Sequence, residues 1–210
     1  MIFKICGLKE KDSIICCEAN NVDFFGLIFY KKSPRNISYK DARELIIFAR
    51  DLRIIPVGVF VNQEINDLKD IITYLNLQYI QLHGDENQEY IDEIKNTFGI
   101  KIIKKFSIES EKDLIKVNQI NNVDYLLFDH KPSSGELPGG NSKSFDWNLL
   151  KNAKFKLPWF ISGGINESNI KNIQKTLNPN GIDLSSGVEE SLGKKSNKKI
   201  NNLLRLFYGN

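Results

Sequence analysis

Short β-branched or aromatic runs alternate along the chain with polar stretches whose apolar residues recur at helical spacing. Eight runs have strand character: residues 2–6, 23–29, 54–61, 79–82, 101–106, 123–128, 159–162 and 181–184. Between them lie amphipathic stretches of crossover-helix length, such as 40–50, where Ala42, Leu45, Ile46 and Ala49 share one face, 62–75 and 87–98. A last one, 198–207, follows the eighth strand. Strands that are almost continuously apolar, each followed by a helix, predict a parallel sheet covered on its outer side. The simplest closure is a parallel, eight-stranded (β/α)8 barrel of the TIM type, one domain spanning 1–210. An open doubly wound sheet is the rival. It needs fewer strands and a Gly-rich first turn, whereas this turn reads Cys6-Gly7-Leu8-Lys9. The longest aperiodic stretch, 130–144, holds Pro132, Gly135, Pro138, Gly139 and Gly140, and a loop that long in a compact domain points to function.

Composition narrows the class. The 29 Lys+Arg against 26 Asp+Glu give a net charge of +3, and apart from Lys194, Lys195, Lys198 and Lys199 the bases are scattered among acids, so no nucleic-acid stripe is expected. The longest apolar stretches, 24–30 and 54–61, are far short of the roughly 18 residues of a membrane span. Lys4 and the run Lys9-Glu10-Lys11-Asp12 leave no signal-peptide core. Cys6, Cys16 and Cys17 form neither a disulfide framework nor a C-x-x-C metal motif, which favours a reducing cytoplasm.

In a barrel, chemistry belongs at the C-terminal strand ends and just beyond them. Those positions hold Cys6, Arg35, His83, Asp129, the turn Ser162-Gly163-Gly164, and Asp183 with Ser185-Ser186-Gly187. The Gly-Gly and Ser-Ser-Gly turns let backbone N–H groups approach an anion and suggest a phosphate site; otherwise they are tight turns chosen for geometry. Cys6 is a base, a nucleophile or a packed thiol, and Cys16 and Cys17, in the first helical stretch, read as packed thiols. Asp129 ends the apolar run Tyr125-Leu126-Leu127-Phe128, so its carboxyl is expected to be desolvated like a general acid's, or else it caps a loop. Arg35, after Ser33-Pro34, is either a two-pronged carboxylate clamp or a surface arginine. His83 is a site residue or a satisfied core histidine, and His130 is expected to be exposed.

Together these segments resemble the phosphoribosylanthranilate isomerase family over essentially the whole chain. The resemblance rests on Lys4-Ile5-Cys6-Gly7-Leu8, Phe29-Tyr30-Lys31-Lys32-Ser33-Pro34-Arg35, Val57-Gly58-Val59-Phe60-Val61, Gln81-Leu82-His83-Gly84, Leu126-Leu127-Phe128-Asp129 and the eighth-strand segment from Gly181 to Glu189. It implies Cys6 as catalytic base, Asp129 as general acid and Arg35 as the holder of an anthranilate carboxylate. His83, Gly140, Gly163, Gly164, Asp183, Ser185, Ser186 and Gly187 are then expected to bind the substrate. That substrate is a phosphorylated aminosugar, rearranged from aminoaldose to aminoketose by proton transfers alone. No metal or redox cofactor, nucleic acid or membrane is implied, and the assembly is a monomer or homodimer. Asn141 and Ser142 depart from the family's Gly-Gly-Thr/Ser-Gly pattern, Ser162 stands where alanine is usual, and Lys194-Lys195-Ser196 lacks a following aspartate. Two rival functions are the histidine-pathway sugar isomerase, expected to use two aspartates, and a sugar-phosphate-binding barrel without turnover.

Overall fold

Apolar residues on both faces of a strand need cover on both sides, and closing the sheet supplies one of them. The structure is a computed structural model and describes residues 1–131, 133, 139–140 and 144–209. Eight parallel strands pair in chain order: β1 (Ile2–Cys6), β2 (Phe24–Ile28), β3 (Ile55–Phe60), β4 (Tyr79–Leu82), β5 (Lys101–Ile108), β6 (Tyr125–His130), β7 (Trp159–Ile161) and β8 (Gly181–Leu184). Strand β8 pairs back onto β1, with Lys4 opposite Asp183, and the barrel is closed. The (β/α)8 expectation holds.

Helices α1 (Lys11–Ala19), α2 (Tyr39–Phe48), α3 (Ile65–Leu75), α4 (Gln88–Phe98), α5 (Glu111–Val117), α6 (Asn148–Lys151), α7 (Ile170–Thr176) and α8 (Asn197–Tyr208) follow the strands. Their starts are set by local chemistry. Ser38, Asn87 and Ser196 accept the N–H groups of Asp41, Tyr90 and Lys199, caps typically worth about 1 kcal/mol each. Outward strand residues such as Phe3 and Ile5 pack into the core beneath the helices, the Phe3 ring meeting Phe207 edge-on at 4.8 Å. Inside the barrel, Phe24, Val57, Ile103, Leu127 and Phe160 form a separate apolar cluster that plugs the lower half. Among the described residues no helix is long and apolar enough to cross a membrane.

Three differences from the sequence reading matter. Strands β5 and β6 run two residues further than expected because Ser107 pairs with Asp129 and Ile108 with His130, so Asp129 lies within a strand. Between β8 and α8 the chain makes a 3-10 turn, Ser186–Val188, and a small antiparallel pair, β9 (Glu189–Ser191) with β10 (Lys194–Lys195), which periodicity did not reveal. Of the expected 130–144 loop, Pro132, Gly135, Pro138, Asn141 and Ser142 lie outside the described residues.

Candidate active site

Counting by two from Cys6 puts Lys4 on the same inner face of β1. Both side chains are buried, and Lys4 Nζ lies 2.9 Å from Asp183 Oδ1 across the β1–β8 seam. Cys6 faces Gly26 on β2, where a Cβ would stand only 2.7 Å from the sulfur; glycine there is what leaves the thiol its space. Burial pushes the Cys6 thiol up, and the ammonium of Lys4 partly offsets this. Burial works against the Lys4 charge as well, but Asp183 and Cys6 outweigh it, and Lys4 stays firmly protonated. Asp183 is pushed up by burial despite its lysine partner.

Asp129 is 4% exposed, and burial raises its carboxyl to about 6, against the pull of Lys105 and of the His130 N–H that donates to Oδ1 at 2.7 Å. His83 Nε2 stands 3.6 Å from Asp129 Oδ2. The other ring nitrogen of His83, Nδ1, is 2.7 Å from the amide nitrogen of Gln81, two residues back on the same strand face. A carboxyl near neutrality and an imidazole thus lie side by side.

Arg35 is not a surface arginine. It is 2% exposed, and its Nε and Nη2 grip Glu189 at 2.6 and 2.8 Å, while Nη2 also donates to the Gly140 carbonyl at 3.3 Å. Lys195 binds the same carboxylate at 2.6 Å. Burial opposes ionisation of Glu189, yet the two cations hold its carboxyl at about 2. The fork expected for a ligand carboxylate is therefore occupied by Glu189. The remaining Nη1 edge lies against Gly140, where any side chain would run into it.

After β7, Gly163 and Gly164 take φ of +88° and +64°, left-handed conformations that favour glycine. With Ser185, Ser186 and Gly187 they line a cavity of about 360 Å³. It shares Asp129, Gly140 and Asp183 with a neighbouring space of about 520 Å³ that reaches Cys6, Arg35 and His83. All the residues expected at the site thus line two joined cavities at the mouth. His130 is half-buried, not exposed, because β6 continues through it. Cys17 is buried and Cys16 partly so.

Sequence reasoning missed Lys4, Gly26, Gln81, Lys105 and Glu189. Strand alternation was the available signal for Lys4, Gln81 and Lys105, since each lies two residues from a position already singled out or from its strand partner. Glu189 closes the eighth-strand segment on which the resemblance rests, but nothing paired it with Arg35, 154 positions away.

A closed barrel with a glycine-lined pocket beyond its last two strands, beside a buried carboxyl and thiol, is built for proton-transfer chemistry on a phosphorylated ligand. Residues 3–205 match the family model of N-(5'-phosphoribosyl)anthranilate (PRA) isomerase, and the chain belongs to that family. The N-(5'-phosphoribosyl)anthranilate isomerase of Paramagnetospirillum magneticum is 36% identical over 208 residues, 98% of this chain and 96% of that protein. The crystal structure of the Thermotoga maritima phosphoribosyl anthranilate isomerase is 30% identical with a TM-score of 0.87, both chains being covered in full. A phosphoribosyl anthranilate isomerase in complex with reduced 1-(o-carboxyphenylamino)-1-deoxyribulose 5-phosphate is 29% identical with a TM-score of 0.83, again covered in full.

Proposed function

We propose that the chain carries out its family's reaction, with Asp129 as general acid and Cys6 as general base. The reaction is the Amadori isomerisation of N-(5-phosphoribosyl)anthranilate to 1-(2-carboxyphenylamino)-1-deoxyribulose 5-phosphate, a step of tryptophan biosynthesis. Asp129 gives its proton to the ribose ring oxygen, and the ring opens to a Schiff base. Cys6 then takes the proton from C2, and the resulting enolamine ketonises. The observation that carries this reading is that Cys6 and Asp129 line one cavity, the carboxyl held at about 6 by burial. A carboxyl whose midpoint is raised toward neutrality keeps a protonated fraction there, which is what a general acid needs. The thiol needs a neighbouring cation to ionise, and Lys4 supplies one.

The pocket of Gly163, Gly164, Ser185, Ser186 and Gly187 suits the phosphate. Asp183 and His83 lie toward the sugar, and Arg35 with Gly140 toward the anthranilate carboxylate, which Nη1 of Arg35 is left to meet. Holding the substrate by its two ends brings the sugar between acid and base by positioning alone. The free thiols fit a cytoplasmic location. A monomer or homodimer is expected; the Thermotoga maritima relative is dimeric and has also been obtained as monomers.

The test follows the fluorescence of freshly generated phosphoribosylanthranilate. The wild type should speed its loss, and Cys6→Ala and Asp129→Asn should each lower kcat by about 10²–10⁴ while remaining folded. Near-wild-type turnover by either variant would remove that residue from its role.

A further inference from the structure

Four lysines are buried in the described residues, and three of them answer a carboxylate: Lys4 binds Asp183, Lys104 binds Glu86 and Lys195 binds Glu189, at 2.9, 2.6 and 2.6 Å. Lys105 is the exception. It is 7% exposed, and the hydrogen bond it makes is to Ser107 Oγ at 2.7 Å. A buried ammonium without a carboxylate in contact is costly to keep, so its surroundings call for an explanation.

Strand alternation gives one. On β5 the inward residues are Ile103, which belongs to the interior cluster, then Lys105 and Ser107. Ser107 is the register partner of Asp129 on β6. The bond to Ser107 therefore draws the ammonium up along the strand to the level of the Asp129 carboxyl. The wall of Lys105, Ser107 and His83 lines a further opening at the mouth, and His83 also lines the cavity that holds Cys6.

We propose that Lys105 is the electrostatic partner of the general acid, a buried ammonium that stabilises the Asp129 carboxylate left behind when its proton passes to the ribose ring oxygen. The proton leaves Asp129 as the C–O bond of the ring breaks, and the negative charge stays on the carboxylate until a proton is recovered as the enolamine ketonises. Lys105 does not touch the reacting atoms; it acts through Asp129 and is a positioning residue. The proposal rests on Asp129 being the acid. The other groups facing Asp129 are His83 just beyond β4, Lys4 from β1, Asp183 from β8 and the His130 N–H of its own strand. Lys105 in turn faces Lys104, Asp85 and Glu86 as well as Asp129. Of the two lysines acting on Asp129, Lys105 acts more strongly than Lys4, whose charge is already answered by Asp183.

The decisive measurement is the titration of the Asp129 carboxyl by NMR in protein carrying ¹³C-labelled aspartate, its resonance assigned by loss in Asp129→Asn. In Lys105→Met the titration midpoint should rise by about one pH unit, the size expected when an opposite charge close to a carboxyl is removed. Lys105→Arg, which keeps the charge, should stay within a few tenths of the wild type. Lys105→Gln serves if the methionine variant does not fold, and the same rise is expected. The pH profile of kcat gives a second readout. The Cys6 thiol ionises well above Asp129, so the working form, acid protonated and thiol ionised, grows tenfold per pH unit up to the Asp129 midpoint and is level from there to the thiol's own midpoint. The low-pH break should therefore move upward in Lys105→Met together with the NMR midpoint. Superimposable titrations of wild type and Lys105→Met would overturn the role of Lys105. If Asp129→Asn turns over normally, it is the acid assignment that falls, and the two failures are told apart.

Discussion

The same eight strands build two unlike halves of one barrel interior. Below, Phe24, Val57, Ile103, Leu127 and Phe160 fill the space with rings and branched chains, Phe24 and Phe160 at 6.3 Å and Tyr125 and Phe160 at 5.6 Å. Two residues further along β5 and β6 the inward positions become Lys105 and Asp129, which share the upper interior with the Lys4–Asp183 pair, the Cys6 thiol and the Gln81 amide. Apolar burial stabilises the first half by roughly 25 cal/mol per Å². The second half contains groups whose charged forms burial disfavours, as Cys6, Asp129 and Asp183 all record. The lower layer holds the barrel shut, and the upper layer uses that rigidity to keep reactive groups in an environment they would not choose.

Phe160→Ala is the strongest blow to the lower layer. A fully buried ring is lost beside Phe24 and Tyr125, and stability should fall by about 3–5 kcal/mol in denaturant melts, with kcat per folded molecule within a few-fold of wild type. A large kcat loss in the folded fraction would show that the two halves are not separable. Asp129→Asn sharpens the contrast from the other side. With its pKa raised to about 6 in the fold against about 3.9 unfolded, Asp129 holds more protons when folded, so its contribution to stability falls between pH 4 and pH 6 and stays lost above. The neutral variant should gain on wild type by about 2–3 kcal/mol at pH 8 and little at pH 4, read as the difference in melting. An equal gap at both pH values would deny that the carboxylate is strained by burial. The smallest change, Gly26→Ala, adds one methyl within 2.7 Å of the Cys6 sulfur and should lower kcat about tenfold by displacing the thiol. Unaltered kcat would mean that Cys6 needs no such space.

The lower half and the barrel itself were legible in the sequence because the strands are largely apolar runs, each followed by an amphipathic helical stretch. The strand ends were less so. Ser107 and Asp129 read as loop because polar residues end an apolar run, yet an inward-facing polar pair at a barrel mouth continues the ladder. At the site, Cys6, Asp129 and the glycine turns stood out by residue type and position. Lys4 and Lys105 did not, since a lysine in a strand says nothing until its face is known. The pairing of Arg35 with Glu189 depended on the β9–β10 hairpin, two strands of three and two residues that no periodicity can announce.

Closure of β8 onto β1 also sets the order in which the molecule becomes competent. Lys4 leaves the ribosome ahead of its partner Asp183, which follows 179 positions later. At about 5–20 residues per second this is a delay of roughly 10–35 s. Once β2 has paired with it, the strand carrying Cys6 keeps one open edge until β8 arrives, and a chaperone or a protease can meet that edge first. The nascent barrel has to wait for its C-terminal quarter, so a chain cut short before β8 would hold a complete acid, a complete base and no enclosure around either.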